Sequence, residues 1–189
     1  MRLALVMLGC LFMFAVQAGA REIEGVEIVE TRQGGDGTVL HLNGAGIREK
    51  FFFDIYIAAL YLAEPSSDVE KVLSSAGEKQ IVMHFLYSEV SKEKLVDAWN
   101  EGFEENVSKD MQATLKNRIT AFNNMFVGVT KNDVITLNYA PEKGTEVTIA
   151  GKAVGVVDGK DFNDALLKIW LGKEPVTSSL KKDLLRYNK

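Results

Sequence analysis

Residues Leu42–Leu62, LNGAGIREKFFFDIYIAALYL, decide how the rest of the chain is interpreted. Glycines at 44 and 46 predict a bend, and the run from Phe51 to Leu62 is too continuously apolar for a half-exposed strand, so we expect a central strand covered on both faces. Arg48 lies directly beside this strand. Placing a guanidinium near a buried strand costs free energy unless a partner compensates its charge, and an anionic ligand is one such partner.

If the strand is regular from Arg48 onwards, alternate side chains point to opposite faces. One face is then purely apolar and suits a core packed by helices: Phe51, Phe53, Ile55, Ile57 and Ala59. The other mixes polar and apolar groups, as the lining of a small-molecule cleft does: Arg48, Lys50, Phe52, Asp54, Tyr56 and Ala58. A bulge or turn at Glu49-Lys50 would break this register. The structural alternative is an ion pair of Arg48 with Asp54 or Glu49.

The first 20 residues have the pattern of a secretory signal peptide. Arg2 precedes an apolar run from Leu3 to Val16, and Ala18-Gly19-Ala20 is a small-x-small cleavage pattern. The run is shorter than the roughly 20 apolar residues that span a bilayer, so a membrane anchor is the less favoured reading. We therefore expect residues 1–20 to be removed, residues 21–189 to form a single domain, and the protein to be exported to a periplasm.

Composition excludes several classes of function. The only cysteine, Cys10, lies in the predicted signal peptide, so the processed chain would have no disulfide and no thiol chemistry. A net charge of −4 without a basic cluster argues against binding nucleic acid or anionic lipid. The two histidines, His41 and His84, are far apart and form no metal-ligand pattern. No nucleotide-binding or nucleophile motif occurs, so neither a metal nor a cofactor is predicted.

The pattern along the chain predicts an α+β domain in which helices cover one face of a mostly antiparallel sheet. Strands are predicted over 26–32, 38–43, 51–62, 79–87, 133–140, 145–149 and 151–157. Helices are predicted from Asp68 to about Ala76, after Ser91, and after Thr177 or Ser178. An apolar stripe with Trp99 marks the helix after Ser91, and two further stripes at helical spacing, the second with Trp170, mark the rest of the helical layer; both tryptophans are interpreted as core residues.

Several segments together resemble the chalcone isomerase superfamily. They are Asn43-Gly-Ala-Gly-Ile-Arg48, the strand end Ala59-Leu60-Tyr61-Leu62, Tyr87-Ser88 before a helix containing Trp99, and the closing segments 160–172 and Pro175-Val176. The resemblance covers nearly the whole of residues 21–189 in the same order. The chain looks like an exported bacterial member of the superfamily, the plain and undecorated form. The resemblance implies an open-faced β-sandwich with a ligand cleft between the sheet and the helices.

The resemblance also implies site residues. The catalytic arginine of the isomerases corresponds to Arg48, and the tyrosine that polarises the enone corresponds to Tyr87. Three positions depart from the enzymes. Tyr56 stands where the enzymes have a threonine, as in the fatty-acid-binding branch, although the alignment needs a short gap here. Lys94 replaces an asparagine, and Asn163 replaces a serine or threonine.

These departures favour a noncatalytic protein that binds a fatty acid or a similar amphipathic anion. Its ligand-binding residues would be Arg48, Tyr56, Tyr87, Lys94 and Asn163. The alternative is an isomerase, an intramolecular lyase that cyclises a chalcone-like enone, with Arg48 and Tyr87 as catalytic residues. A third reading is an envelope protein with a vestigial cleft that functions through protein contacts. Oligomeric state is left open.

Overall fold

The computed structural model describes residues 20–187, so the predicted signal peptide and Cys10 lie outside the described residues. The strands are β1 Ala20–Ile23, β2 Val26–Val29, β3 Thr31–Gln33, β4 Val39–Lys50, β5 Phe53–Leu62, β6 Lys79–Phe85, β7 Glu89–Val90, β8 Val129–Thr130, β9 Val134–Ala140, β10 Gly144–Ile149 and β11 Lys152–Val157. The helices are α1 Val69–Ser74, α2 Lys92–Asn106, α3 Lys109–Asn124, α4 Lys160–Leu171 and α5 Ser178–Leu184. Within residues 20–187, no helix combines the length and the hydropathy needed to cross a membrane.

Seven strands form one antiparallel sheet in the order β11-β10-β9-β6-β5-β4-β3. The short β1–β2 hairpin flanks it, and so does a second two-stranded antiparallel sheet, β7–β8, whose strands are separated in sequence by α2 and α3. β5 lies inside the sheet between β4 and β6, and its residues from Tyr56 to Leu62 are all buried. The predicted α+β architecture with an antiparallel sheet is therefore confirmed.

Local sequence signals set the helix boundaries. Asp68, Ser91, Ser108 and Thr177 each cap a helix by accepting a hydrogen bond from a backbone N–H of its first turn. Gly172 follows the last residue of α4, as the sequence predicts.

All five helices contribute buried side chains to one core against the same face of the sheet. The centre of that core is aromatic, and Trp99 contacts Phe122, Phe126 and Trp170 with ring centroids 5.3–5.8 Å apart.

The opposite face of the sheet has a smaller core under the β1–β2 hairpin. Its buried members are Ile28, Leu40, Leu42, Ala45, Ile57, Ala59 and Tyr61. Ile57 and Ala59 thus point away from the helices, whereas Tyr56, Ala58 and Leu60 point toward them. The assignment of the Ile57–Ala59 face to the helix-packed core is wrong, although β5 is covered on both faces as expected.

The glycine-rich segment is not a bend. Gly44 and Gly46 lie within β4, which continues to Lys50 with a bulge between Leu42 and Gly44. Both glycines face α5, and a Cβ on Gly44 would overlap the backbone carbonyl of Asp183. They are required because a helix approaches the strand too closely for any side chain.

The turn lies later, at Phe51-Phe52, so the predicted strand 51–62 begins at Phe53. Arg48 and Tyr56 are consequently on neighbouring strands, where they pair directly across the β4–β5 hairpin. A bulge between Arg48 and Glu49 adjusts the register. Cross-strand partners point to the same face of a sheet, which places both side chains on the helix side.

Candidate functional site

A cavity of about 380 Å³ opens between the turn end of the β4–β5 hairpin and helix α2. Its size is within the range typical of small-molecule sites. Its apolar wall is formed by Ile55, Met83, Phe85, Leu95, Ala98, Trp99, Ile169 and Val176. Four of the five predicted ligand-binding residues also line it: Arg48, Tyr56, Tyr87 and Lys94. The structure therefore brings these four together over an apolar floor.

Arg48 forms no ion pair with any residue from 20 to 187. Its side chain is half-buried, and its guanidinium carbon lies 5.8 Å from the centre of the Tyr56 ring. Within residues 20–187, the arginine side-chain hydrogen bonds and ion pairs are made by Arg32, Arg118 and Arg186, not by Arg48. The ion pair with Asp54 or Glu49 that the sequence allowed is thus not formed. The ring supplies a cation–π contact, and all five N–H donors of the fork are left for another acceptor.

Tyr56 is buried beneath this arginine. Its hydroxyl oxygen accepts a hydrogen bond from Trp170 Nε1 at 3.1 Å, which leaves the hydroxyl proton free to be donated. Burial raises the pKa of Tyr56 above its usual value, and the positive charge of Arg48 acts in the opposite direction. The phenol therefore stays neutral at physiological pH, so it can act as a donor and not as an anion.

Tyr87 and Lys94 lie toward the mouth of the cavity. Tyr87 is half-buried, and its ring contacts Phe53 edge to face with centroids 5.5 Å apart. Lys94 is exposed in the first turn of α2, where Ser91 caps its backbone N–H. The cap fixes the start of α2 and hence the position from which Lys94 reaches the mouth.

Comparison with known proteins identifies the family to which this fold belongs. The family model described as chalcone isomerase-like matches residues 20–186. The chain belongs to the chalcone isomerase-like family. A comparison with curated proteins gave no match.

Among solved structures, the fold is similar to a crystal structure of a fatty-acid binding protein of Arabidopsis thaliana. The TM-score is 0.66 at 17% sequence identity, and the alignment covers 82% of this chain and 96% of the plant protein. At that identity the likeness establishes the chalcone isomerase-like fold alone.

Asn163, the fifth predicted site residue, does not lie with the others in this chalcone isomerase-like chain. It is buried at the start of α4, where its Nδ2 donates to Thr145 Oγ1 at 3.3 Å. This contact joins α4 to β10 inside the core. The structure therefore gives Asn163 a place in packing, away from the cavity.

Sequence reasoning missed three carboxylates that also line the cavity, Glu89, Asp97 and Glu101. Asp97 lies three residues after Lys94 on α2, and Glu101 lies four residues after Asp97, so helical periodicity could have placed all three side chains on one face. Among the described residues, no cluster of three or more His, Cys, Asp or Glu side chains is suited to hold a metal ion.

Proposed function

We propose that this chalcone isomerase-like protein is a noncatalytic binding protein for a fatty acid or a similar amphipathic anion. The observation that carries the proposal is the half-buried, unneutralised guanidinium of Arg48 at the edge of an apolar cavity. A carboxylate supplies the missing counter-charge, and an attached hydrocarbon chain occupies the apolar space. The fold likeness to a plant fatty-acid binding protein supports the same ligand class.

The head group is held by Arg48. A guanidinium can bind a carboxylate through two parallel N–H···O bonds, and such charge-assisted bonds are shorter and stronger than neutral ones. Tyr56 carries a neutral hydroxyl next to it and can donate one further hydrogen bond. Because the guanidinium already lies against the Tyr56 ring, little side-chain entropy is lost on binding.

The tail contributes the larger share of the affinity. Each methylene group transferred from water to an apolar wall contributes about 0.8 kcal/mol. The floor residues Phe85, Leu95 and Trp99 provide such a wall. Affinity should therefore rise with chain length from octanoate upward until the cavity is filled.

An isomerase remains the second candidate, because Arg48 and Tyr87 line the same cavity. Cyclisation of an enone needs donors aimed at the developing enolate and a substrate fixed at both ends. Asn163 lies in the core, so it provides no second anchor there. The binding role is therefore better supported than the catalytic one.

The proposed site of action is the periplasm of a bacterium, outside the inner membrane. Support for export comes from the sequence pattern of residues 1–20. The processed protein would begin at Arg21.

The test compares fatty-acid uptake by delipidated protein and two arginine variants. Calorimetric titration with palmitate should show saturable binding, and Arg48→Ala should weaken it about 10- to 100-fold because a charge-assisted contact is lost. The matched control is Arg118→Ala, which removes an arginine that pairs with Asp161 away from the cavity and should leave binding unchanged.

Absence of saturable uptake for every fatty acid from octanoate to stearate would reject the binding role. Equal affinities of Arg48→Ala and the unaltered protein would reject Arg48 as the head-group residue. Turnover of naringenin chalcone above the background rate, lost in Arg48→Ala, would favour the isomerase.

A further inference from the structure

The turn between β4 and β5 exposes three consecutive phenylalanines. Phe51 is 85% exposed, Phe52 is 99% exposed and Phe53 is 55% exposed. Elsewhere in residues 20–187 the phenylalanines are buried, with at most 2% exposure. These three residues, called the aromatic tip below, form an exposed apolar surface that folding of the chain does not explain.

The backbone of the turn is also unusual. Phe51 has a φ of 59°, in the left-handed region that bulky residues rarely adopt. Two-residue hairpin turns generally place glycine or asparagine where φ is positive. The sequence has a phenylalanine at a position where a small residue would relieve backbone strain, and strain kept in this way is a mark of function.

The aromatic tip borders the mouth of the cavity. Phe51 and Phe53 line it together with Arg48 and Lys50. Phe53 also packs edge to face against Tyr87, which fixes the tip relative to the opening. Whatever surface the tip contacts will therefore face the entrance to the apolar cavity.

The shape of the tip distinguishes among possible partners. A two-residue turn with both side chains exposed is convex, and it offers no groove for a peptide or helix. A convex aromatic projection suits the interfacial region of a bilayer, where phenylalanine rings enter among headgroups and acyl chains. The charges around the mouth are mixed, with Arg48, Lys50 and Lys94 against Glu89, Asp97 and Glu101, so attraction to anionic lipid is not the driving force.

We propose that the aromatic tip docks the protein reversibly on a lipid surface, with the cavity mouth against the headgroups. This interaction goes beyond the ligand-binding role and does not depend on it, because the tip is exposed whether or not the cavity is filled. Docking is peripheral, since a single turn reaches only the interfacial layer.

The test is flotation of delipidated, processed protein with phosphatidylcholine vesicles. The protein should float with the vesicles, and Phe52→Ser should partition at least about tenfold more weakly, because one fully exposed ring no longer leaves water. The matched control is Val154→Ser with Val156→Ser, which removes exposed apolar side chains from β11 at the far edge of the sheet and should leave partitioning unchanged. Addition of phosphatidylglycerol should alter partitioning little.

Failure of the unaltered protein to float at any lipid concentration would overturn the proposal. Equal losses in Phe52→Ser and in the β11 variant would do the same, as would concentration-dependent dimerisation that disappears in Phe52→Ser, which would assign the tip to a second copy. The Arg48→Ala variant should float normally, so a failure of the tip and a failure of fatty-acid binding are distinguishable.

Discussion

The helix-covered face of the sheet carries one cation at each end, and the two are treated differently. At one end, Lys79 is 1% exposed and has partners on every side. Its Nζ donates to the Ser75 carbonyl at 2.6 Å, lies 3.8 Å from Asp164 Oδ1, and lies 5.3 Å from the centre of the Tyr139 ring. At the other end, Arg48 lies against the face of Tyr56 and forms no ion pair within residues 20–187.

This difference separates a charge that is satisfied within the fold from a charge that we propose binds a ligand. Burial of Lys79 costs free energy, which its carbonyl, carboxylate and aromatic contacts offset. Arg48 keeps its donors free beside an open cavity, which is the condition of a group that binds something the chain does not contain. Removing Lys79 should therefore reduce stability. Removing Arg48 should weaken ligand binding and leave stability nearly unchanged.

The largest effect on stability is expected for Lys79→Ala. The substitution leaves a cavity in the core and removes one cation from Asp164, so the free energy of unfolding should fall by about 3 kcal/mol in urea titrations followed by far-UV circular dichroism. Asp164 keeps Lys160 at 2.6 Å, so Lys79→Met, which also restores volume, should cost less. Arg48→Ala should change stability by less than about 0.5 kcal/mol. A larger loss for Arg48→Ala than for Lys79→Ala would invalidate the comparison.

A smaller effect is expected for Gly44→Ala, which tests how tightly the Lys79 end of the face is packed. The new Cβ would overlap the Asp183 backbone, and α5 would have to move, at a cost of about 1–3 kcal/mol by the same titration. Gly77→Ala is the matched control, since its Cβ would meet no atom closer than 3.4 Å. Equal stability of the two variants would show that α5 is not held against β4.

The smallest effect is a pH dependence of Lys79. Burial lowers the pKa of Lys79 from 10.5 to about 8, although Asp164 opposes the shift. Between these values the unfolded chain binds more protons than the folded one, so stability rises with pH across this window. The contribution between about pH 7.5 and about pH 9.5 should be about 1–2 kcal/mol.

Urea titrations of the unaltered protein and of Lys79→Met at each pH isolate this contribution, because other groups titrate in both. As pH rises, the unfolding free energy of the unaltered protein should increase relative to that of Lys79→Met. A pH-independent difference would mean that Lys79 titrates normally.

Local signals made most of the fold predictable. Ser91 and Thr177 cap their helices as expected, and the strands 133–140 and 145–149 pair as a hairpin, because these features depend on neighbours in sequence. The bend predicted from the glycines at 44 and 46 was wrong. Glycine is needed there because α5, which is distant in sequence, approaches the strand closely, and no local pattern reveals that approach. The turn at Phe51-Phe52 was not predicted because it contains none of the residues typical of turns.

The site was predictable to a similar extent. The family resemblance pointed to Arg48, Tyr56, Tyr87 and Lys94, and the structure brings all four to one cavity. Parity along a single strand placed Arg48 and Tyr56 on one face for the wrong reason, since they are partners across a hairpin. The direction of the Asn163 side chain depends on how α4 is rotated about its axis over the sheet. The apolar periodicity of α4 predicts which side of the helix faces the sheet, but not whether Asn163 contacts β10 or the cavity.

The two tryptophans give this protein an optical property of its own. Trp99 lines the cavity and Trp170 donates to the Tyr56 hydroxyl, with their ring centroids 5.8 Å apart. Because the sequence contains no other tryptophan, the tryptophan fluorescence of the protein originates from this one pair. A molecule that enters the cavity contacts the wall to which Trp99 belongs and changes the surroundings of an emitting ring, so emission wavelength and intensity should report occupancy. The chain thus contains an unlabelled sensor for whatever its cavity binds.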